Sequence, residues 1–131
     1  MRNDPENRTE IEVFNAVELD EHPRELTVLI SCDYYSEDSD TGRDLMSSFL
    51  EALLSRASSG SLVLFINATG VKLLSSAVMA ELIASAGIVY ICSDSLKAYD
   101  ADCEIEGNIV PLSSVAFFEE VLKYRPSITI R

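Results

Sequence analysis

The chain has 131 residues, 47% of them apolar, enough for one domain with a single core of ordinary size. Twenty-two acids against ten bases leave a formal charge of −12, which repels phosphate backbones and anionic lipid, so neither nucleic acid nor a membrane is an expected partner. No apolar run approaches the roughly 18 residues that cross a bilayer, and the polar start "MRNDPENRTE" lacks the basic end and apolar stretch of a secretory signal, so a soluble cytoplasmic protein is expected.

Up to about Arg24, the apolar residues Ile11, Val13, Phe14, Val17 and Leu19 follow neither a strand nor a helix period. Residues 1–25 are therefore read as an arm with room for one short strand, and residues 26–131 as the domain. "LTVLIS" is a short β-branched run of the kind buried on both faces, and predicts the first core strand. After the acidic loop "DYYSEDSD", Thr41 followed three places on by Asp44 resembles a capping box. Leu45, Met46, Phe49, Leu50, Leu53 and Leu54 then recur at helical spacing, on a helix expected to end before Gly60. "LVLFIN" predicts the second strand, "SSAVMAELIASAG" a helix stopped at Gly87, and "IVYIC" the third strand. "NIVPL" predicts a fourth strand, for which Pro111 favours an edge or terminal place over a central one. Ser114 is positioned to cap a last helix through Val115, Phe118, Val121 and Leu122, stopped by Pro126 before a closing strand "SITI". Alternating strands and helices with short connections predict an α/β three-layer sandwich on a mainly parallel sheet of about five strands.

Ligands of such sheets bind at the carboxyl ends of the strands, which nominates "SCDYY", "NATGVKL" and "CSDSL". None is a G-x-G-x-x-G or a G-x-x-x-x-G-K-[ST] loop, so no nucleotide cofactor is expected. Cys32, Cys92 and Cys103 form no C-x-x-C pair and His22 stands alone, which suits free thiols in a reduced compartment and no metal. Cys92 has two readings. As a working thiol it needs a following helix start, which Ser93 or Ser95 would cap, or a cation such as Lys72; as a structural residue it ends a buried strand, and the charge of Asp94 opposes its ionisation. Gly70 offers backbone freedom beside Lys72, and Asn67 either binds a ligand or satisfies its loop. Cys103 sits among carboxylates that suppress ionisation, Cys32 suits packing, Tyr34 and Tyr35 suit equally a pocket or subunit contact and an exposed loop, and Glu37, Asp38 and Asp40 lack the alternation of a calcium loop.

The stretches "LTVLISCD", "GRDLMSSFLEALL", "LVLFINATGVKLL", "IVYICSDSLKAY" and "EGNIVPLSSVAFFEEVL" resemble, in this order, the DsrE/DsrF-like sulfur-relay family. The likeness is closest to the carboxy-terminal domain of YedF-type proteins associated with selenium metabolism. Its most specific parts are Gly70-Val71-Lys72-Leu73 and the cysteine ending the third strand. The resemblance implies a small domain that assembles into a homo-oligomer and handles sulfur as a cysteine persulfide, handing it to a sulfur-relay partner. It places Cys92 at the sulfur-carrying position, and Ser95 stands where the family's loop has a second cysteine; Asn67, Gly70, Lys72, Ser93 and Ser95 are the candidate ligand-binding residues at the strand ends. The competing expectation is a non-catalytic oligomeric module that binds a small anion or a protein partner.

Overall fold

The computed structural model describes residues 25–57 and 61–131, so the expected arm, apart from Glu25, lies outside the described residues. Five β-branched runs form the strands: β1 Leu26–Ile30, β2 Leu62–Ile66, β3 Ile88–Cys92, β4 Ile109–Leu112 and β5 Ile128–Ile130. They make one parallel sheet in the order β4-β3-β2-β1-β5. β2 is buried along its whole length because it pairs on both sides, Leu62–Ile66 against Leu26–Ile30 and Val63–Ile66 against Ile88–Ile91. Pro111 lies in the edge strand β4, where a missing N–H costs no ladder bond on the open side.

Between the strands lie helices α1 Asp40–Arg56, α2 Ala77–Ser85, α3 Ser93–Ala98 and α4 Ser114–Tyr124, with a 3₁₀ helix over Ala68–Ser75. The chain steps outward from β1 to β4 and then returns to the far side of β1. Parallel crossovers are right-handed, so this reversal moves the last connection to the opposite face. Met46, Leu50 and Leu53 of α1 and Met79 and Leu82 of α2 accordingly share one core with Val28, Ile30, Leu64, Ile66 and Ile91. Phe117 of α4 shares the other with Leu29, Val63, Phe65 and Tyr90. In that second layer Phe65 stacks on Tyr90 at 4.9 Å and meets the edges of Phe117 and Tyr124 at 5.6 and 5.5 Å. Each such ring pair adds about 0.5–1.5 kcal/mol beyond its buried area.

Two helix starts differ from the capping expected of them. The N-cap of α1 is Ser39, whose hydroxyl accepts from the Gly42 N–H at 3.1 Å, so Thr41 is already helical. The cause is tight packing of the first turn on the preceding loop: a side chain at Gly42 would run into the Glu37 carbonyl oxygen. The N-cap of α4 is Ser113, accepting from the Ala116 N–H, and not Ser114. Ser114 becomes the first helical residue, which leaves its hydroxyl for other partners. α4 ends as expected before Pro126, on Arg125 in the left-handed region at φ 52°. The stretch after β2, expected as a loop, is the 3₁₀ helix. Among the described residues no single helix is long and apolar enough to cross a membrane.

Candidate functional site

The residues that follow β3 pack toward the α1/α2 layer, through Leu96, Ala101 and Cys103, whereas β4 leads into α4 on the other face. Adjacent parallel strands whose exits diverge in this way open a crevice at their carboxyl ends, the usual ligand position in open α/β sheets. Cys92, the last residue of β3, lies where these exits diverge and points into the α4 layer, 3% exposed. Three side chains bridge the exits: the Ser93 hydroxyl donates to the Leu112 carbonyl at 3.1 Å, the Asp94 carboxylate accepts from the Ser114 N–H and hydroxyl at 2.9 and 2.8 Å, and the Ser114 oxygen lies 3.5 Å from the Cys92 sulfur.

Burial pushes the Cys92 thiol up, but a Ser114 hydroxyl that donates to the sulfur, the Ser95 hydroxyl and the amides of Ser95 and Asp94 together pull it further down, so its pKa then lies below the ordinary thiol value. The Asp94 backbone amide is thus among the groups that support the thiolate. Its carboxyl is held below the usual range by the Ser114 amide and hydroxyl. Neither Ser93 nor Ser95 caps α3, whose N-cap is Cys92 with no side-chain capping bond. Ser95 instead accepts from the Ala68 N–H at 2.8 Å, which leaves its single proton for the sulfur.

That bond ties the end of β3 to the end of β2. Ala68 holds φ at 50°, in the left-handed region where a Cβ is strained. Asn67, before it, is 8% exposed; its Oδ1 accepts from the Ser31 hydroxyl at 2.6 Å, and its amide nitrogen has no acceptor among the described residues. Gly70 does not use the backbone freedom expected of it, since its φ is ordinary. It is required by close approach, because a Cβ there would lie 2.5 Å from the Ile30 carbonyl oxygen. Lys72 places its ammonium 5.6 Å from the Tyr99 ring centroid and is not among the groups that lower the Cys92 pKa.

Cys32 is 5% exposed and donates to the Tyr34 carbonyl, a packing position. Cys103 has its pKa raised by burial first and by Glu104 second, the direction expected from its acidic neighbours. Tyr35 pairs its ring with Phe49 at 6.1 Å. Asp38 and Asp40 bind Arg43, Glu37 binds Ser39, and among the described residues no three His, Cys, Asp or Glu side chains converge as metal ligands. A cavity of about 680 Å³ between α2 and residues 102–109 and another of about 330 Å³ beside Lys72 and Tyr99 do not include Cys92. The residues that sequence reasoning missed are Ser114, as a partner of the thiol, and Ser31, as the partner of Asn67. Their only sequence signal is that each lies one or two residues beyond a strand end, at Leu112 and Ile30. Comparison of the chain with protein-family models, with curated proteins and with solved structures gives no match.

Proposed function

We propose that the chain is a DsrE-like sulfur-handling protein of sulfur or selenium metabolism, in which Cys92 carries sulfane sulfur as a persulfide. The observation that carries this reading is the position of Cys92 at the β3–β4 crevice among donors that favour its ionised form. The Cys92 thiolate attacks the outer sulfur of a persulfide or polysulfide donor. A new sulfur–sulfur bond forms at Cys92, the donor's own sulfur–sulfur bond breaks, and its electron pair leaves with the donor's inner sulfur, which takes up a proton. Transfer to an acceptor thiolate repeats the exchange with Cys92 as the leaving sulfur. One thiol suffices for both steps, and the hydroxyl of Ser95 cannot close a disulfide with Cys92.

The open amide of Asn67 and the Ser95 hydroxyl are the donors nearest this chemistry along the strand ends, and Lys72, on the 3₁₀ helix after Asn67, is the cation for an anionic donor to meet. Ser93 and Gly70 hold the crevice and the strand-end packing together. Because Cys92 is 3% exposed, loading requires the first turns of α3 and α4 to part. A homo-oligomer and a sulfur-relay partner belong to the same proposal. The apolar stripe Val115, Phe118 and Leu122 on α4, 73%, 47% and 74% exposed, is the surface suited to such a contact.

The burial of Cys92 also favours a second reading, a non-catalytic oligomeric module that keeps the fold and binds a small anion or a protein. Incubation with inorganic polysulfide followed by intact mass separates the two. The first reading expects a gain of one sulfur atom, removed by a reductant and absent in Cys92→Ser. No gain, or a gain that persists in Cys92→Ser, rejects it in favour of the second.

A further inference from the structure

Ser114 has one hydroxyl proton and two acceptors within reach, Asp94 Oδ2 at 2.8 Å and Cys92 Sγ at 3.5 Å. A carboxylate at the shorter distance is much the stronger acceptor, and the Ser114 N–H anchors the same oxygen at 2.9 Å. With its proton committed to Asp94, Ser114 can only accept from the sulfur. We infer that Asp94 is a latch on Cys92 that acts through Ser114: while the carboxylate holds the Ser114 proton, the serine oxygen accepts the thiol S–H and favours the protonated sulfur. Ser114 and Asp94 are positioning residues in this scheme.

The inference rests on the reading of Cys92 as the sulfur-carrying thiol and deepens it. The donors from Ser95 and the α3 amides act on the sulfur in either case, and the latch sets whether the Ser114 hydroxyl joins them. Release needs a group that takes the carboxylate away from Ser114. A cation on a sulfur donor or partner protein has that chemistry, since Asp94 lies on the surface. The Ser114 hydroxyl then turns to donate to the sulfur, the thiol proton leaves to water, and the thiolate is exposed to the donor that released it. The other charged group acting on the pair is Lys97, whose field acts on Asp94 from α3; α4 and the residues joining it to β4 carry no charge before Glu119.

The test is a cycle of substitutions read by the alkylation rate of Cys92 against pH. Asp94→Asn is expected to raise the rate near neutral pH by about threefold to tenfold, the range of one ordinary hydrogen bond. In a Ser114→Ala background the same substitution is expected to change the rate by less than about twofold, and in Ser114→Thr, which keeps the hydroxyl, the acceleration is expected to return. An equal acceleration with and without the Ser114 hydroxyl overturns the latch, because charge removal alone would then explain it. No acceleration in Asp94→Asn overturns it as well. Melting curves of each variant confirm that native protein is compared. Polysulfide loading is scored separately: a cycle that passes without loading leaves the latch and removes the persulfide reading, and loading with a failed cycle does the reverse.

Discussion

At the scale of single residues, burial and a few donors set which groups ionise. Tyr90 has its pKa pushed up to about 12, by burial first and then by its bond to Tyr124. A folded pKa above the unfolded value of about 10 contributes stability that is complete below pH 10 and is lost as pH rises through about 12. Melting curves across that window should fall steeply in the native protein, and the fall should flatten in Tyr90→Phe. Cys92 has the opposite sign. Its depressed pKa stabilises the fold above the unfolded thiol value of about 8.5, and that stability is lost as pH falls through the folded pKa. Gly70 tests packing without charge. Gly70→Ala must displace the Ile30 carbonyl, 2.5 Å from the new Cβ, and is expected to cost about 1–3 kcal/mol by denaturant unfolding. A neutral result would mean that the 3₁₀ helix shifts freely away from β1.

At the scale of elements, strands were more legible in the sequence than the boundaries of helices. "LTVLI", "LVLFI" and "IVYIC" are apolar runs, broken only by Thr27, because each becomes an inner strand of an all-parallel sheet, covered on both faces, and that burial leaves few alternatives. Caps were misread by one or two residues. Ser39 and Thr41, like Ser113 and Ser114, are equivalent in composition, and the choice between them is made by where the loop meets the sheet, which is tertiary information. Ser39→Ala is accordingly expected to cost about 1 kcal/mol in thermal or denaturant unfolding, and Thr41→Ala close to nothing. Ser113→Ala should cost less than Ser39→Ala, since its capping bond is longer at 3.4 Å. The 3₁₀ helix over Ala68–Ser75 was unreadable because it depends on the left-handed turn at Ala68, which Ser95 holds from another strand end.

At the scale of the whole molecule, topology gathers the site. The reversal of direction after β4 sends α4 to the second face and brings Ser114 to Cys92, residues 22 positions apart. Cys92 itself was legible as the end of a buried strand, but its electrostatics were not, because Asp94 acts through its amide and through Ser114 and not only as a neighbouring charge. The same topology leaves the outer face of α4 uncovered by any other described element, with Val115, Phe118 and Leu122 one and two turns apart. Light scattering at micromolar concentration is expected to give a mass above that of one chain, and Leu122→Lys to reduce it toward a single chain. A single-chain mass for the native protein would remove the oligomer from the proposal.

The central claim is that the groups around the end of β3 make Cys92 a more acidic thiol than Cys103. Ultraviolet titration of thiolate absorbance tests it directly and does not depend on reagent access to a buried sulfur. In Cys32→Ser/Cys103→Ser protein, where Cys92 titrates alone, the midpoint is expected below the ordinary thiol value of about 8.5. In Cys32→Ser/Cys92→Ser protein, the midpoint of Cys103 is expected above that value. A Cys92 midpoint at or above that of Cys103 would contradict the claim.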